Sequence, residues 1–236
     1  MPKIGDCSFP FFDTGISMFG LLFTLMLVAS PPILHETLSW RKPLIGSVFV
    51  LICILGILAT LLPKHCSQAF HFQRGNSGLA LSRIRIASHH PDCGKFSAHV
   101  LRVDGHTFCA ACTGLLFGGI ISILGALIYF LVGWPFVLAP FAVALIGIVA
   151  VFLGFFQLKF RGILRSVLNV LFVFGALLIL VGVDELIGGL FIDFFLESFI
   201  AFWIFTRIQL SQWDHQRICK NCEFHCNIGQ EKKNRS

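Results

Sequence analysis

Long apolar runs alternate with shorter polar segments along most of this chain. Each run is about 20 residues long, the length that a helix needs to cross the hydrocarbon core of a bilayer. The pattern predicts an all-α fold: a polytopic helical transmembrane bundle of about six spans. The predicted spans are Thr14–Leu34, Pro43–Leu62, Thr113–Val132, Phe136–Leu158, Ile163–Val183 and Leu190–Leu210.

The polar segments divide the chain into four parts. Residues 1–62 form a two-span N-terminal hairpin, 63–112 a Cys/His loop, 113–210 a four-span bundle and 211–236 a Cys-rich tail. Lys3 is the one charge of the first few residues before Asp6, and no small-residue cleavage site follows the first apolar run. We therefore expect this run to be a retained span and not a cleaved signal peptide.

Composition supports a membrane protein and argues against a nucleic-acid-binding one. Of the 236 residues, 56% are hydrophobic and 13% are charged, whereas soluble domains carry about 25% charged residues. The net charge is +6, but the basic residues sit beside spans, where membrane topology and anionic headgroups account for them. The expected partner is the lipid bilayer, with no nucleic acid.

The distribution of Lys and Arg predicts the orientation. If the N-terminus lies in the cytoplasm, all but two of the 18 Lys and Arg residues lie on that side, the exceptions being Arg41 and Lys42. The opposite orientation would invert this bias, against the positive-inside rule. We therefore expect a multi-pass protein of the cell membrane with an even number of spans and both termini in the cytoplasm.

This orientation changes the interpretation of the nine cysteines. All except Cys53, which falls within the second span, would lie in or beside the cytoplasm. Structural disulfides are rare in that reducing compartment, and clustered thiols there are metal ligands or redox groups more often than disulfides. The cysteines therefore become candidates for a metal site.

The loop carries the first group of candidate ligands. Cys109-Ala110-Ala111-Cys112 is a Cys-x-x-Cys pair, whose thiolates can both reach one tetrahedral ion. Short strand-like pieces on either side of Asp104-Gly105, a turn signal, predict a small cytoplasmic Cys/His knuckle at the entrance to the third span. The other candidate ligands in this loop are His89, Cys93 and His106.

The tail carries a second group. Three cysteines with the spacing Cys-x-x-Cys-x-x-x-Cys and an upstream histidine supply four ligands, enough for one zinc site. Loop and tail lie on the same predicted side, so the two groups form either one shared centre or two neighbouring ones. Zinc is the expected metal, an iron–sulfur centre or a redox dithiol is the alternative, and a site with no stable metal stays open. The tail candidates are His215, Cys219, Cys222 and Cys226.

The segment from His89 to Gly114 resembles an uncharacterised family of small prokaryotic multi-pass membrane proteins, known only as a domain of unknown function. In that family a Cys-His-Gln element is followed by Gly-His and by Cys-Ala-Arg-Cys-Thr-Gly leading into a helix. Here Gly105-His106 precedes Cys109-Ala110-Ala111-Cys112-Thr113-Gly114, while Ser88 replaces the first cysteine and Ala111 the arginine. The resemblance implies that the site exists and implies no activity.

A second candidate site lies in the last predicted span. Asp193 and Glu197 are four residues apart and so lie on one helix face. Ionisable groups in the hydrocarbon are costly and usually face the bundle or water. The pair predicts an intramembrane proton or cation site, with Asn169 or Arg165 of the fifth span as possible neighbours. The alternative is that Asp193 merely lies at the headgroups.

A stripe of small residues follows the third span. Gly114, Gly118, Ser122 and Ala126 are each four residues apart, a spacing that lets another helix backbone approach closely. We expect this face to pack within the molecule, with self-dimerisation as the alternative.

Three functions fit these features. The first is a membrane protein whose cytoplasmic Cys/His zinc site has a structural or interaction role, docking a cytoplasmic protein partner or a second copy. The second is a proton- or cation-coupled transporter that uses Asp193 and Glu197. The third is a membrane thiol or iron–sulfur redox protein, for which the sequence offers no further catalytic motif. Whether the protein is an enzyme stays open.

Overall fold

The architecture is that of a helical bundle with one small β-hairpin. The structure is a computed structural model. It describes residues 10–32, 36, 38–61, 100–103, 106–133 and 138–220.

The described residues form six α-helices and two short strands. Two of the helices change pitch at their C-terminal ends: α3 continues as a π-helix over Leu127–Val132, and α4 as a 3₁₀-helix over Phe156–Lys159. The elements are α1 (Phe11–Ala29), α2 (Arg41–Leu61), β1 (Val100–Val103), β2 (His106–Cys109), α3 (Ala110–Ala126), α4 (Pro140–Phe155), α5 (Gly162–Leu186) and α6 (Leu190–Lys220).

Five helices are long and apolar enough to cross a membrane, and they correspond to the first five predicted spans. Their apolar stretches are Phe11–Ala29, Arg41–Leu58, Ala110–Val132, Pro140–Lys159 and Gly162–Leu186. Many of their large apolar side chains point outward and are exposed, as lipid-facing surfaces require. These features define a helical membrane protein.

Several helix boundaries differ from the predicted ones, those of α4 and α6 among them. The fourth helix begins at Pro140 and not at Phe136, because proline suits the first helical position, where its fixed φ and missing N–H cost nothing. The sixth continues beyond Leu210 to Lys220. Ion pairing between Arg165 of α5 and Asp214 of α6, at 3.3 Å, holds this extension against the bundle.

The predicted turn before the third span is a β-hairpin. Strands β1 and β2 are antiparallel, with Val100 opposite Cys109 and Val103 opposite His106. Residues 104–105, which contain the predicted turn, lie outside the described residues. The second strand runs directly into α3, and β1 also contacts α5. The hairpin therefore lies against the end of the bundle where α3 and α5 begin.

Helix α5 is the central element, and α3 and α4 approach it very closely. A Cβ added at Gly114 of α3 would lie 2.3 Å from the Ser166 carbonyl oxygen, and one at Gly147 of α4 would lie 2.6 Å from that of Gly175. Only glycine permits such contact between backbones. The small-residue stripe of α3 is buried along its length, so this face packs within the molecule.

A tight turn joins α5 to α6. Gly188 lies between the two helices with φ of 61°, a conformation that other residues rarely adopt. The chain therefore reverses within three residues, Ile187 to Gly189. This reversal brings the acidic end of α5, Asp184 and Glu185, beside the first turn of α6.

Candidate functional site

The cysteine pair of the loop lies where the hairpin meets α3. Cys109 is the last residue of β2 and precedes the helix in an extended conformation, with φ of −71° and ψ of 116°. Cys112 follows in the first helical turn. Both cysteines are partly exposed. We call the end of the bundle that carries them the inner end, and the opposite end the outer end.

This arrangement of two thiols suits the binding of a metal ion or reaction with an electrophile. Two thiolates separated by two residues can share one tetrahedral ion, and the partial positive charge at a helix N-terminus stabilises negative charge beside it. A closed structural zinc site needs four ligands. Within the part of the chain that the structure describes, no group of three or more metal-ligating side chains is found. The pair alone therefore supplies two of the four ligands that a structural zinc site needs.

The other predicted ligands fall in two classes. His106 begins β2, and His215 and Cys219 lie near the end of α6, so their backbone is placed at the inner end, while their side chains are not among the described ones. His89, Cys93, Cys222 and Cys226 lie outside the described residues. The ligand set predicted from the sequence thus stays a prediction.

A buried polar chain connects α5 and α6 near the inner end. The Nε of Arg207 donates to the Asn169 side-chain oxygen at 2.7 Å, and the Asn169 amide donates to the Arg165 carbonyl at 2.6 Å. Arg165 in turn pairs with Asp214. These contacts fix the C-terminal part of α6, and hence the start of the tail, to the end of the bundle that carries Cys109.

The outer end carries a second, denser group of polar side chains. Arg41 is almost fully buried, and one of its terminal nitrogens, Nη1, contacts both Asp184, at 2.7 Å, and Asp193. Four elements contribute to the group: α2, the π-helical end of α3, α5 and α6. We call it the outer cluster; its members are Arg41, Lys42, Tyr129, Asp184, Glu185 and Asp193.

Tyr129 lies at the centre of the outer cluster. Its hydroxyl is 2.6 Å from an oxygen of Asp184 and 2.6 Å from an oxygen of Glu185, and it accepts a hydrogen bond from Lys42 at 3.2 Å. Lys42 also pairs with both carboxylates at 3.2 Å. The phenol thus joins the two adjacent acidic residues at the end of α5.

Glu36 closes the cluster on the side of the α1–α2 connection. Its carboxylate accepts a hydrogen bond from the Leu190 amide at 3.0 Å, and its own amide donates to the Gly188 carbonyl at 2.9 Å. The first bond satisfies one of the unpaired N–H groups at the start of α6. Glu36 therefore fixes the beginning of the helix that carries Asp193.

The two carboxylates of the predicted intramembrane site differ in their contacts. Asp193 is ion-paired with Arg41. Glu197, one turn further along α6, has a relative exposure of 2% and lies against the backbone of Phe49 on α2. No side chain among the described residues hydrogen-bonds its carboxylate. The predicted neighbours Asn169 and Arg165 are wrong, because the antiparallel course of α5 places them at the inner end.

The comparisons with known proteins add no assignment: no family model, no curated protein and no solved structure matches the chain. The resemblance of residues 89–114 to a prokaryotic membrane family stays a prediction. The fold alone therefore defines the class, a helical membrane protein. Its distinguishing features are a cysteine pair at one end of the bundle and a buried ionic cluster at the other.

Proposed function

We propose that the protein is a six-span integral protein of the cell membrane with both termini in the cytoplasm. Five spans alone would leave the tail on the side of the outer end. A sixth crossing, by α6, brings the tail to the inner end. The ionisable residues of its apolar part are all buried, while several phenylalanines point outward. The buried residues are Asp193, Glu197 and Arg207, and the exposed ones Phe191, Phe194, Phe195 and Phe205.

The charges of the outer end support this orientation. Arg41 and Lys42 are the two basic residues that the charge pattern assigns to the outside, and acidic partners surround both. The basic residues Lys159, Arg161 and Arg165 lie at the inner end. By the positive-inside rule, this distribution favours a cytoplasmic position of the inner end.

On the cytoplasmic face we propose a Cys/His zinc site with a structural or interaction role. The observation that supports it is the position of Cys109 and Cys112 at the junction of hairpin and α3, at the same end as the last turns of α6. Further ligands would come from the loop and from the tail. The metal would hold the loop and the tail to the bundle, and the hairpin would present a docking surface for a cytoplasmic partner or a second copy.

Metal analysis of the purified protein tests this proposal. We expect about one or two zinc ions per chain, since four protein ligands hold each structural zinc. Replacing Cys109 and Cys112 together by serine should remove one ion. Cys53→Ser is the matched control, because Cys53 is buried within α2, away from the inner end, and it should leave the zinc content unchanged. Full zinc retention in the double variant would overturn the assignment, and bound iron with a visible absorption band would favour the iron–sulfur alternative.

The second candidate function is proton- or cation-coupled transport. The observation that favours it is the buried carboxylate of Glu197, which has no side-chain hydrogen-bond partner in the described part of the chain. Such groups in membrane helices commonly mark ion pathways. Ion flux into proteoliposomes should be lost in Glu197→Gln and kept in Asp13→Asn, a carboxylate near the inner end of α1. Absence of proton and metal-ion flux in the wild-type protein would exclude transport.

A further inference from the structure

The environment of Glu197 leaves a proton as its best-matched ligand. Burial of an ionised carboxylate without a partner is costly, and the neutral acid avoids that cost. A hard divalent cation takes about six or more oxygen ligands. The charged group that acts on Glu197 is Asp193, one turn away, and Asp193 already pairs with Arg41. One carboxyl group can hold a proton, whereas a metal ion would lack ligands here.

The outer cluster holds more acid than base. With Glu36 included, four carboxyl groups face two cations, Arg41 and Lys42. Two of these carboxyl groups, Glu36 and Glu185, are exposed, and the other two, Asp184 and Asp193, are buried against Arg41. The outer cluster thus joins carboxyl groups at the surface to carboxyl groups in the interior.

Hydrogen-bond counting at Tyr129 points the same way. A phenol has one hydrogen to donate, yet its oxygen lies 2.6 Å from both Asp184 and Glu185. The single phenol hydrogen is therefore shared between the two carboxylates in a three-centre hydrogen bond. Tyr129 thus links the partly exposed Glu185 to the buried Asp184.

Exposure decreases from the outer cluster towards Glu197. The Glu185 side chain is 37% exposed, whereas that of Asp184 is fully buried. Asp184 and Asp193 contact the same nitrogen of Arg41, so their oxygens lie no more than about 5 Å apart, twice a hydrogen-bond length. Asp193 and Glu197 are then neighbours on one helix face. Acidic groups thus reach from the outer surface to Glu197.

Along α6, a stretch without ionisable side chains separates Glu197 from the inner end. The next buried charge on α6 is Arg207, ten residues on, or about 15 Å along the helix. Between them Ile200 and Trp203 are fully buried, and the Trp203 indole donates to the Ser17 carbonyl at 3.2 Å. Among the described residues, no ionisable side chain of α6 lies in this interval.

We propose that Glu197 is a proton-binding site that exchanges protons with the outer side of the membrane through the outer cluster. The inference rests on the proposed crossing of the membrane by α6. It deepens the transport candidate by naming the ligand, the residue that holds it and the side from which it enters, and it is independent of the zinc site. The step is simple protonation: the Glu197 carboxylate gains a proton from Asp193, which regains one from the outer side.

The ionisable groups that face this site come from five parts of the chain. They are Glu36 before α2, Arg41 and Lys42 on α2, Tyr129 at the end of α3, Asp184 and Glu185 on α5, and Asp193 on α6.

A carbodiimide that modifies protonated carboxyls in apolar surroundings tests the proposal in the full-length protein. The protein is reconstituted with its outer end facing the external medium, and impermeant buffers set the pH on each side separately. Peptide mapping by mass spectrometry then measures the label at Glu197. We expect the label to rise several-fold when the outer pH is lowered and to stay constant when the inner pH is lowered. Asp13 near the inner end of α1 is the internal reference.

Each outcome bears on one claim. No label at Glu197 at any pH, or a label that follows the inner pH, would overturn the proposal. Tyr129→Phe should slow the response of the label to outer pH without abolishing it, because the phenol is a shared hydrogen-bonding group in the entry cluster. If the label in Tyr129→Phe responds to the outer pH at the wild-type rate, the outer cluster is not part of the proton pathway. If the label at Glu197 depends on the outer pH but no ion flux is detected, Glu197 is a proton-binding site and transport is excluded.

Discussion

Single charged residues in this bundle are placed so that each buried cation meets an oxygen acceptor. Arg41 joins carboxylates of two helices, and Arg207 is bonded to the side-chain oxygen of Asn169. Removing one partner from a buried ion pair leaves the other charge uncompensated, which costs more than the pair itself contributes. Glu197 stands apart, because no side chain among the described residues hydrogen-bonds its carboxylate.

Arg41→Met should therefore lower the free energy of unfolding by about 3–5 kcal/mol, since it leaves Asp193 buried without its cation. Lys42→Met is the matched control: the Lys42 side chain is 40% exposed, against 5% for Arg41, and its removal should cost no more than about 1 kcal/mol. Equilibrium unfolding in mixed micelles measures both. Equal losses in the two variants would contradict the assigned role of Arg41.

The sequence predicts the shared face of Asp193 and Glu197, because helical spacing alone determines it. It does not predict which of the two is paired, since the partner, Arg41, is 152 residues away. The sequence nevertheless contains a signal for this pairing. In a bundle of alternating spans, Arg41 and the acidic pair at the end of α5 fall at the same end, whereas Arg165 at the start of α5 falls at the other.

At the scale of helices, close backbone contact organises the bundle around α5. Without water to drive association in lipid, helices gain stability from dense packing, and small residues permit it. The spacing of Gly114 and Gly118 predicts a packing face, and that face is buried. Which helix covers it follows only from the tertiary structure, where Ser166 and Val170 of α5 meet the two glycines.

Gly114→Ala should destabilise the protein by about 1–3 kcal/mol, the usual cost of overpacking, because the added methyl group would collide with the Ser166 carbonyl. Gly15→Ala is the control on α1, where nothing lies within 4 Å of the added Cβ; it should be neutral or stabilise the helix by up to about 1 kcal/mol. Thermal denaturation in one detergent compares the two. A loss in Gly15→Ala equal to that in Gly114→Ala would show that contact with α5 is not the cause.

At the scale of the whole molecule, the two ends of the bundle have different chemistry. The outer end holds a compact ionic cluster, and the inner end holds the cysteine pair and the end of α6. Charge bias predicts this division from the sequence, since it depends on which side each loop occupies. The ligand set of the proposed zinc site depends instead on how loop and tail meet in three dimensions, which spacing alone does not determine.

The side of the membrane that each end occupies can be read from thiol accessibility. With six spans and both termini inside, all wild-type cysteines except Cys53 lie on the cytoplasmic side, and Cys53 is buried in α2. A membrane-impermeant thiol reagent should then leave the protein unlabelled in intact cells and label it after permeabilisation. Ser39→Cys, an exposed position before α2, should add one label in intact cells, whereas the matched Lys159→Cys, exposed after α4, should add none.

The same measurement decides whether α6 crosses the membrane. If it did not, the chain would have five spans, and Cys222 and Cys226 of the tail would lie outside, where the reagent reaches them in intact cells without any substitution. Labelling of wild-type protein at the tail would therefore overturn the six-span proposal and, with it, the intramembrane position of Glu197. Labelling of Lys159→Cys but not of Ser39→Cys would instead keep the span number and invert the orientation, which would place the cysteine pair in an oxidising compartment and make a disulfide its expected state.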